Sequence, residues 1–227
     1  MRFIYHPLAS QESLCIDGDK FHHLFRTRRT GDKNTSSLFL RNLQDEYLYE
    51  YAIMEVKKKE AMLSLTTKVQ DEVSEASAKF LHIGWCMIDP KEIEKSLSFL
   101  NEIGVGKISF IYCQKSQKNF TPNLERLQKI LVNSCEQCGR TTLMQLEVLP
   151  NLQEFKERYE GARMLHFCDN TDVRDISTLL IGAEGGWSEE EVRLYQDGLV
   201  GVATPHILRS TTASIVASAQ ILLSQKY

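Results

Sequence analysis

The order of apolar segments predicts an α/β chain. A small β-barrel over residues 1–72 precedes a domain over 73–227 in which strands alternate with helices around a parallel sheet. Three observations carry this reading. Short runs rich in Leu, Tyr, Thr and Val crowd the first third, broken by polar turns. After the acidic, small-residue stretch DEVSEASA (71–78), apolar strands alternate with amphipathic segments. Two of those segments open with proline and close with glycine, as helices do.

Taken in order, SLFLRN (37–42), YLYEYAIMEV (47–56) and AMLSLTTKV (61–69) read as strands. Six or so such strands suggest a small barrel. KFLHIGWCM (79–87) is the first strand of the second domain. DPKEIEKSLSFLNEIG (89–104) is a helix, with Pro90 near its start, Gly104 past its end and Ile93, Leu97, Leu100 and Ile103 on one face. KISFIYC (107–113) is a strand and PNLERLQKILVNSCEQCG (122–139) a second amphipathic helix. RMLHFC (163–168), TLLIG (178–182) and LVGVA (199–203) supply further buried strands. Ser188 and Glu191 spell a capping box between the last two. A small-residue helix ends the chain, and no internal repeat or low-complexity segment occurs.

Composition excludes several classes. The chain has 227 residues, 42% hydrophobic and 25% charged, ordinary for a globular protein. No apolar run approaches the roughly 18 residues of a membrane span. The opening MRFIYHPLAS lacks a signal-peptide core, so a cytoplasmic location is expected. The six cysteines are scattered, and Cys135 and Cys138 read as two thiols on a buried helix face, not half of a zinc site. His22 and His23 would face opposite ways in a strand, and His82 and His166, inside apolar strands, read as core histidines; metal dependence is not expected.

The net charge of −3 argues mildly against nucleic acid, but the distribution matters more. KFHHLFRTRRTGDK (20–33) concentrates Arg26, Arg28 and Arg29, and a strand there aims Arg26 and Arg28 at one face. An exposed hairpin accounts for the same composition equally well. Lys57, Lys58 and Lys59, flanked by Glu55 and Glu60, read as a solvated turn.

The densest signal lies near the C-terminus. A strand ending at Ile181–Gly182 runs into a turn with glycines at 182, 185 and 186, and LVGVA leads through Pro205 into ILR and a helix. Two such strand ends make a site of backbone amides and carbonyls, suited to a flat polar cofactor. The dinucleotide and P-loop glycine fingerprints and the nucleophile elbow are all missing.

These residues carry a resemblance. IGAEGGWSEEEV (181–192) resembles the IGPEGGFSEEE segment of the RsmE family, and ILRSTTAS (207–214) resembles its ILRTETA. LNEIGV (100–105) is similar to its TELGV helix end, and NSCEQCGRT (133–141) to its EAAEQSGRT. MRFIYHP (1–7) and HHLFRTRRTGD (22–32) match the family's N-terminal pattern.

The resemblance implies a SPOUT-superfamily methyltransferase that uses S-adenosyl-L-methionine to methylate N3 of one uridine in 16S rRNA of the small ribosomal subunit. It further implies a PUA-like RNA-binding barrel, a trefoil-knotted catalytic domain and a homodimer. Three loops then hold the cofactor. Phe167 and Cys168 come from the first, and Ile181, Gly182, Glu184 and Gly185 from the second. Val202, Ala203, Ile207 and Leu208 come from the third, followed by Thr212 and Ala213 of the last helix. For each apolar residue, core packing is the competing account. Arg209 is the catalytic candidate, because a guanidinium stabilises the anion left when uridine N3 loses its proton. A purely structural pairing of Arg209 stays open, as does a solvent-facing turn position for Glu184. Arg2, Arg26, Arg28, Arg29, Lys115 and Arg140 are the RNA-contact candidates, each also readable as an ordinary surface residue. Ala183, Thr204 and Thr211 depart from the family's proline, glycine and glutamate. A SPOUT enzyme of another specificity and a non-catalytic RNA-binding module remain the alternatives.

Overall fold

The computed structural model describes residues 3–27, 36–70, 80–173 and 175–223. They form two compact units, Met1–Ser77 with Cys135–Leu143, and Ala78–Ser134 with Met144–Tyr227. The expected division at 72/73 falls in 71–79, outside the described residues.

The first unit is built on β1 (Ile4–Tyr5), β2 (Ser13–Asp17), β3 (Ser37–Arg41), β4 (Tyr47–Val56) and β5 (Glu60–Gln70). They pair in the order β1-β3-β4-β5-β2, antiparallel except for β1 beside β3. Among the described residues the sheet is a curled half-barrel of five strands, where six or so were expected. Alternation sets its core: Leu14 and Ile16 of β2 face Leu63 of β5, Leu38 and Leu40 of β3, and Tyr49 and Tyr51 of β4.

Over residues 20–27, the described part of the 20–33 segment, the chain is helical and not the strand expected. Gly18, at φ +56°, turns the chain out of β2 into α1 (Gly18–Phe21) and a π-helical turn over His22–Thr27. Phe21, Leu24 and Phe25, at helical spacing, are buried in the same core, with the Phe21 and Phe25 rings stacked at 5.2 Å. Burying that apolar face leaves His22, His23 and Arg26 exposed. Residues 135–143 join this unit through Glu136, which accepts from the Tyr5 backbone N–H at 2.6 Å and from the Lys20 ammonium at 3.2 Å.

The second unit contains β6 (His82–Cys86), α2 (Pro90–Ile103), β7 (Lys107–Ile111), α3 (Leu124–Cys138, whose last residues belong to the first unit), β8 (Gln145–Leu149) and α4 (Leu152–Arg158). It continues with β9 (Arg163–Leu165), β10 (Thr178–Ile181), α5 (Glu189–Leu194), β11 (Leu199–Val200) and α6 (Ser210–Leu223). All six strands are parallel, in the order β11-β9-β10-β6-β7-β8. Every residue of β6 is buried, as expected of a central strand covered on both faces. The caps read from the sequence are in place. Asp89 accepts from Lys91 N–H, Gly104 ends α2 at φ +106°, and Ser188 and Glu191 form the reciprocal box of α5.

β8 and α4 were not legible in the sequence, being short and, in β8, partly polar. The polarity of β8 has a use. Glu147 accepts from Ser109 and from the Tyr159 hydroxyl at 2.6 Å, and pairs with Lys107 at 3.0 Å. His82 Nε2 lies 2.6 Å from Ser109 Oγ, so His82 is the satisfied core histidine expected. Cys86 and Cys113 form a disulfide joining the C-terminal ends of β6 and β7, with Cα atoms 5.8 Å apart. The sequence alone did not signal this pairing.

Candidate functional site

Because β9, β10 and β11 are parallel neighbours, the loops that follow them emerge on one side of the sheet. Together with the start of α6 they enclose a cavity of about 690 Å³. Its apolar wall is Leu165, Ile181, Val202, Leu208 and Ala213, one or two residues from each element. Polar groups at the wall are His166, Asp169, Thr204, His206 and Ser210. The turn Gly182, Ala183, Gly185 and Gly186 contributes mostly backbone.

That turn is pinned from several sides. Gly186, at φ +67°, closes it by donating its N–H to Ala183 O at 2.9 Å, a conformation costly for any residue with a Cβ. The Trp187 indole donates to Leu165 O at 2.9 Å, tying the turn to the end of β9. The Lys115 ammonium, arriving from the loop after β7, donates to Gly185 O at 2.9 Å and Trp187 O at 2.8 Å. From below, Ser210 Oγ donates to Gly182 O and accepts from the Trp85 indole at 2.8 Å. Glu191 accepts from Gln114 N–H at 2.8 Å, so the Lys115 loop is also anchored on α5.

The first and third loops are locked by close approach. Gly201 N–H donates to Asn170 O at 2.7 Å, and a Cβ at 201 would lie 2.3 Å from Cys168 O. Only glycine fits there. β9 and β11 end earlier than the sequence suggested, at Leu165 and Val200. His166 consequently leaves the sheet. It is half-buried at the cavity wall and is not the core histidine expected.

The structure brings eight sequence candidates together at this wall: Phe167, Cys168, Ile181, Gly182, Gly185, Val202, Leu208 and Ala213. Glu184, Ala203, Ile207 and Thr212 are not on it. Glu184 sits exposed at the tip of the closed turn, Ala203 is exposed, and Ile207 is 82% exposed. Thr212 is one helical step from buried Ala213 and faces outward. Arg209 is exposed between the wall residues Leu208 and Ser210, and its guanidinium makes no hydrogen bond or ion pair among the described residues. Of the RNA candidates, Lys115 has its ammonium committed to the turn carbonyls. Arg26 is exposed, donating to Lys58 O at 2.9 Å, and Arg140 is half-buried. Arg2, Arg28 and Arg29 lie outside the described residues. Sequence reasoning missed Trp187, Ser210, Asp169 and His206; only the position of Trp187 beside the glycine turn was a local clue.

The sequence matches the RNA methyltransferase domain family over residues 75–222. It is 41% identical over 222 residues to ribosomal RNA small subunit methyltransferase E of Helicobacter pylori, covering 95% of this chain and 96% of that protein. The chain belongs to the RsmE family. Two solved structures share its fold. One is a methyltransferase from Legionella pneumophila in complex with SAM, at TM-score 0.83 and 23% identity over 98% of this chain and 97% of the other. The second is ribosomal RNA small subunit methyltransferase E from Neisseria gonorrhoeae bound to S-adenosyl methionine, at TM-score 0.77 and 20% identity over 99% and 98%. Family membership accounts for the agreement between the motifs in loop order and the three-loop cavity. Among the described residues, no helix is long and apolar enough to cross a membrane.

Proposed function

We propose that this RsmE-family chain methylates N3 of a uridine in the 16S rRNA of the small ribosomal subunit, using S-adenosylmethionine. The coarser statement, an S-adenosylmethionine-dependent rRNA methyltransferase, follows from the family. One observation carries the finer reading: an exposed arginine, Arg209, unpaired among the described residues, stands between two wall residues of a cavity built from three strand-end loops.

The residues present fit the cofactor. A cavity of about 690 Å³ is within the usual range for a small-molecule site. Ile181, Val202, Leu208 and Ala213 offer an apolar slot for a purine, and the backbone of the glycine turn offers donors and acceptors for its edges. Asp169 supplies the negative charge that a cationic methyl donor with a free amine calls for. When bound, S-adenosylmethionine supplies a methyl group on positive sulfur, a transfer that depends mostly on in-line placement.

The chain's own residues supply the rest. Uridine N3–H is a weak acid, and its loss spreads negative charge over O2 and O4. Arg209, which makes no ion pair among the described residues, is available to stabilise that charge with paired hydrogen bonds. The pinned turn keeps the site in shape before substrate arrives, which lowers the cost of ordering it.

The same reading assigns RNA recognition to the arginines around Arg26, a PUA-like role to the half-barrel and a trefoil knot to the catalytic unit. It also assigns homodimerisation to the outward face of α6, where Ile215, Val216 and Ala219 are only half-buried. Mass spectrometry of 16S rRNA from a strain lacking the protein tests the specificity. Loss of one N3-methyluridine, restored by the purified chain, is expected; loss of a ribose or other base methylation rejects uridine N3. Charge reversal of Arg26, Arg28 and Arg29 should weaken rRNA binding and flatten its salt dependence while sparing cofactor affinity. Unchanged binding in a salt titration removes that patch.

A further inference from the structure

We propose that Cys86 and Cys113 form a thiol–disulfide site whose oxidation state sets how firmly the cofactor turn is held. The proposal rests on the cofactor reading above and concerns regulation of that same cavity. The two cysteines, 0% and 3% exposed, close a disulfide across the C-terminal ends of β6 and β7. Neither is on the cavity wall, and the methyl transfer uses neither.

Their position is what matters. Cys113 is the first residue of the turn that carries Lys115. Cys113 N–H donates to Ser116 Oγ at 3.2 Å, and Ser116 N–H donates back to Cys113 O at 3.2 Å. Two residues after the disulfide, the Lys115 ammonium grips Gly185 O and Trp187 O, and the Lys115 Cδ lies within 3.3 Å of where a Cβ on Gly185 would stand. Gln114 N–H is held by Glu191. A covalent bond therefore anchors one end of a four-residue strap whose middle holds the floor of the cofactor site. In the reduced protein two buried thiols must separate to van der Waals distance within a close-packed wall, where small displacements are transmitted to neighbours. The strap then shifts at its root, and the Lys115 contacts lengthen.

The chemistry needs a small-molecule disulfide as oxidant. The Cys113 thiolate, at the foot of the exposed residues Gln114 and Lys115, attacks one of its sulfurs and releases one thiolate. The Cys86 thiolate then attacks the Cys113 sulfur of the mixed disulfide and releases the second. Two electrons and two protons pass from the protein thiols to the oxidant, leaving two small-molecule thiols and one Cys86–Cys113 bond. Because both sulfurs are buried, the exchange waits on opening of the 113–116 turn and is slow.

The test is calorimetry of the full-length chain with S-adenosylhomocysteine, after dithiothreitol or after oxidised glutathione, with alkylation and peptide mapping of both samples. The oxidised sample should show linked peptides containing Cys86 and Cys113 and bind about fivefold or more tightly, the effect of weakening one charged hydrogen bond. C86S/C113S should bind like reduced protein in both buffers. If that variant fails to fold, the comparison of the two wild-type states decides. Equal affinity in both states, or both cysteines alkylated after oxidation, overturns the proposal and leaves the cofactor site standing. A redox response that persists in C86S/C113S also overturns it and points to Cys168 at the cavity wall. No binding in either state overturns the cofactor reading together with this one.

Discussion

Replacing Lys115 by Met removes an ammonium while keeping most of the apolar stem that covers Gly185. In the native chain that ammonium donates to two carbonyls of the glycine turn, at 2.9 and 2.8 Å. Hydrogen bonds to a charged group contribute about 1.5–3 kcal/mol each when buried. Lys115 is exposed, so water replaces part of what is lost and the pair together is worth about 1–2 kcal/mol. If the turn must be in this conformation to accept the cofactor, that free energy appears as a Kd raised about 5- to 30-fold. Lys115→Arg, which still reaches with a cation, should recover most of it. The assay is isothermal titration with S-adenosylhomocysteine at fixed salt, beside an rRNA-binding titration. Lys115→Met with unchanged cofactor affinity but weaker, less salt-dependent RNA binding would refute the bracing argument. It would return Lys115 to the RNA-contact role that the sequence suggested.

Arg209→Ala should lower kcat by about two to three orders of magnitude, as for removal of other anion-stabilising donors, with cofactor Kd changed only a few-fold; near-normal methylation removes Arg209 from the mechanism. Gly201→Ala forces a Cβ against Cys168 O, 2.3 Å away if nothing moves, so it should destabilise the unit by about 1–3 kcal/mol and weaken cofactor binding. An unchanged Tm and Kd would contradict the close approach. Acid sensitivity should show His82. Burial, reinforced by the Lys107 ammonium and opposed by Glu147, pushes its imidazole down to about 4 from 6.5. The unfolded chain therefore binds that proton first as pH falls. Stability is unaffected above pH 6.5 and drops by about 3 kcal/mol between there and pH 4. Glu147 behaves in the same direction at lower pH. Burial raises it, but hydrogen bonds from Ser109, Tyr159 and Lys107 outweigh that and hold it below its usual range, so its contribution is lost as pH falls through that depressed value. Urea midpoints from pH 7.5 to 4 should slope less in His82→Gln than in the native chain; parallel slopes reject the assignment.

Local chemistry was enough to read α2, α5 and the glycine turn. Asp89, Pro90 and Gly104 bound one helix, Ser188 and Glu191 start another, and each device acts within a few residues of itself. The order of buried strands likewise follows from near-neighbour pattern, while the cofactor loops came from the family resemblance, and eight of the twelve candidates it implied share one wall. Phe21, Leu24 and Phe25 stand at helical spacing, but the expectation there was a strand or a hairpin, and burial of the aromatic face in the core overrides the alternation of Arg26 and Arg28. Only the tertiary structure decided where β9 and β11 stop, and hence that His166 turns from core to cavity. It alone brought Cys86 to Cys113, 27 residues apart, and Lys115 to carbonyls 70 and 72 residues away. A residue's propensity is written in its neighbours along the chain; the partner of a thiol or an ammonium is set by which strand ends the parallel sheet places side by side.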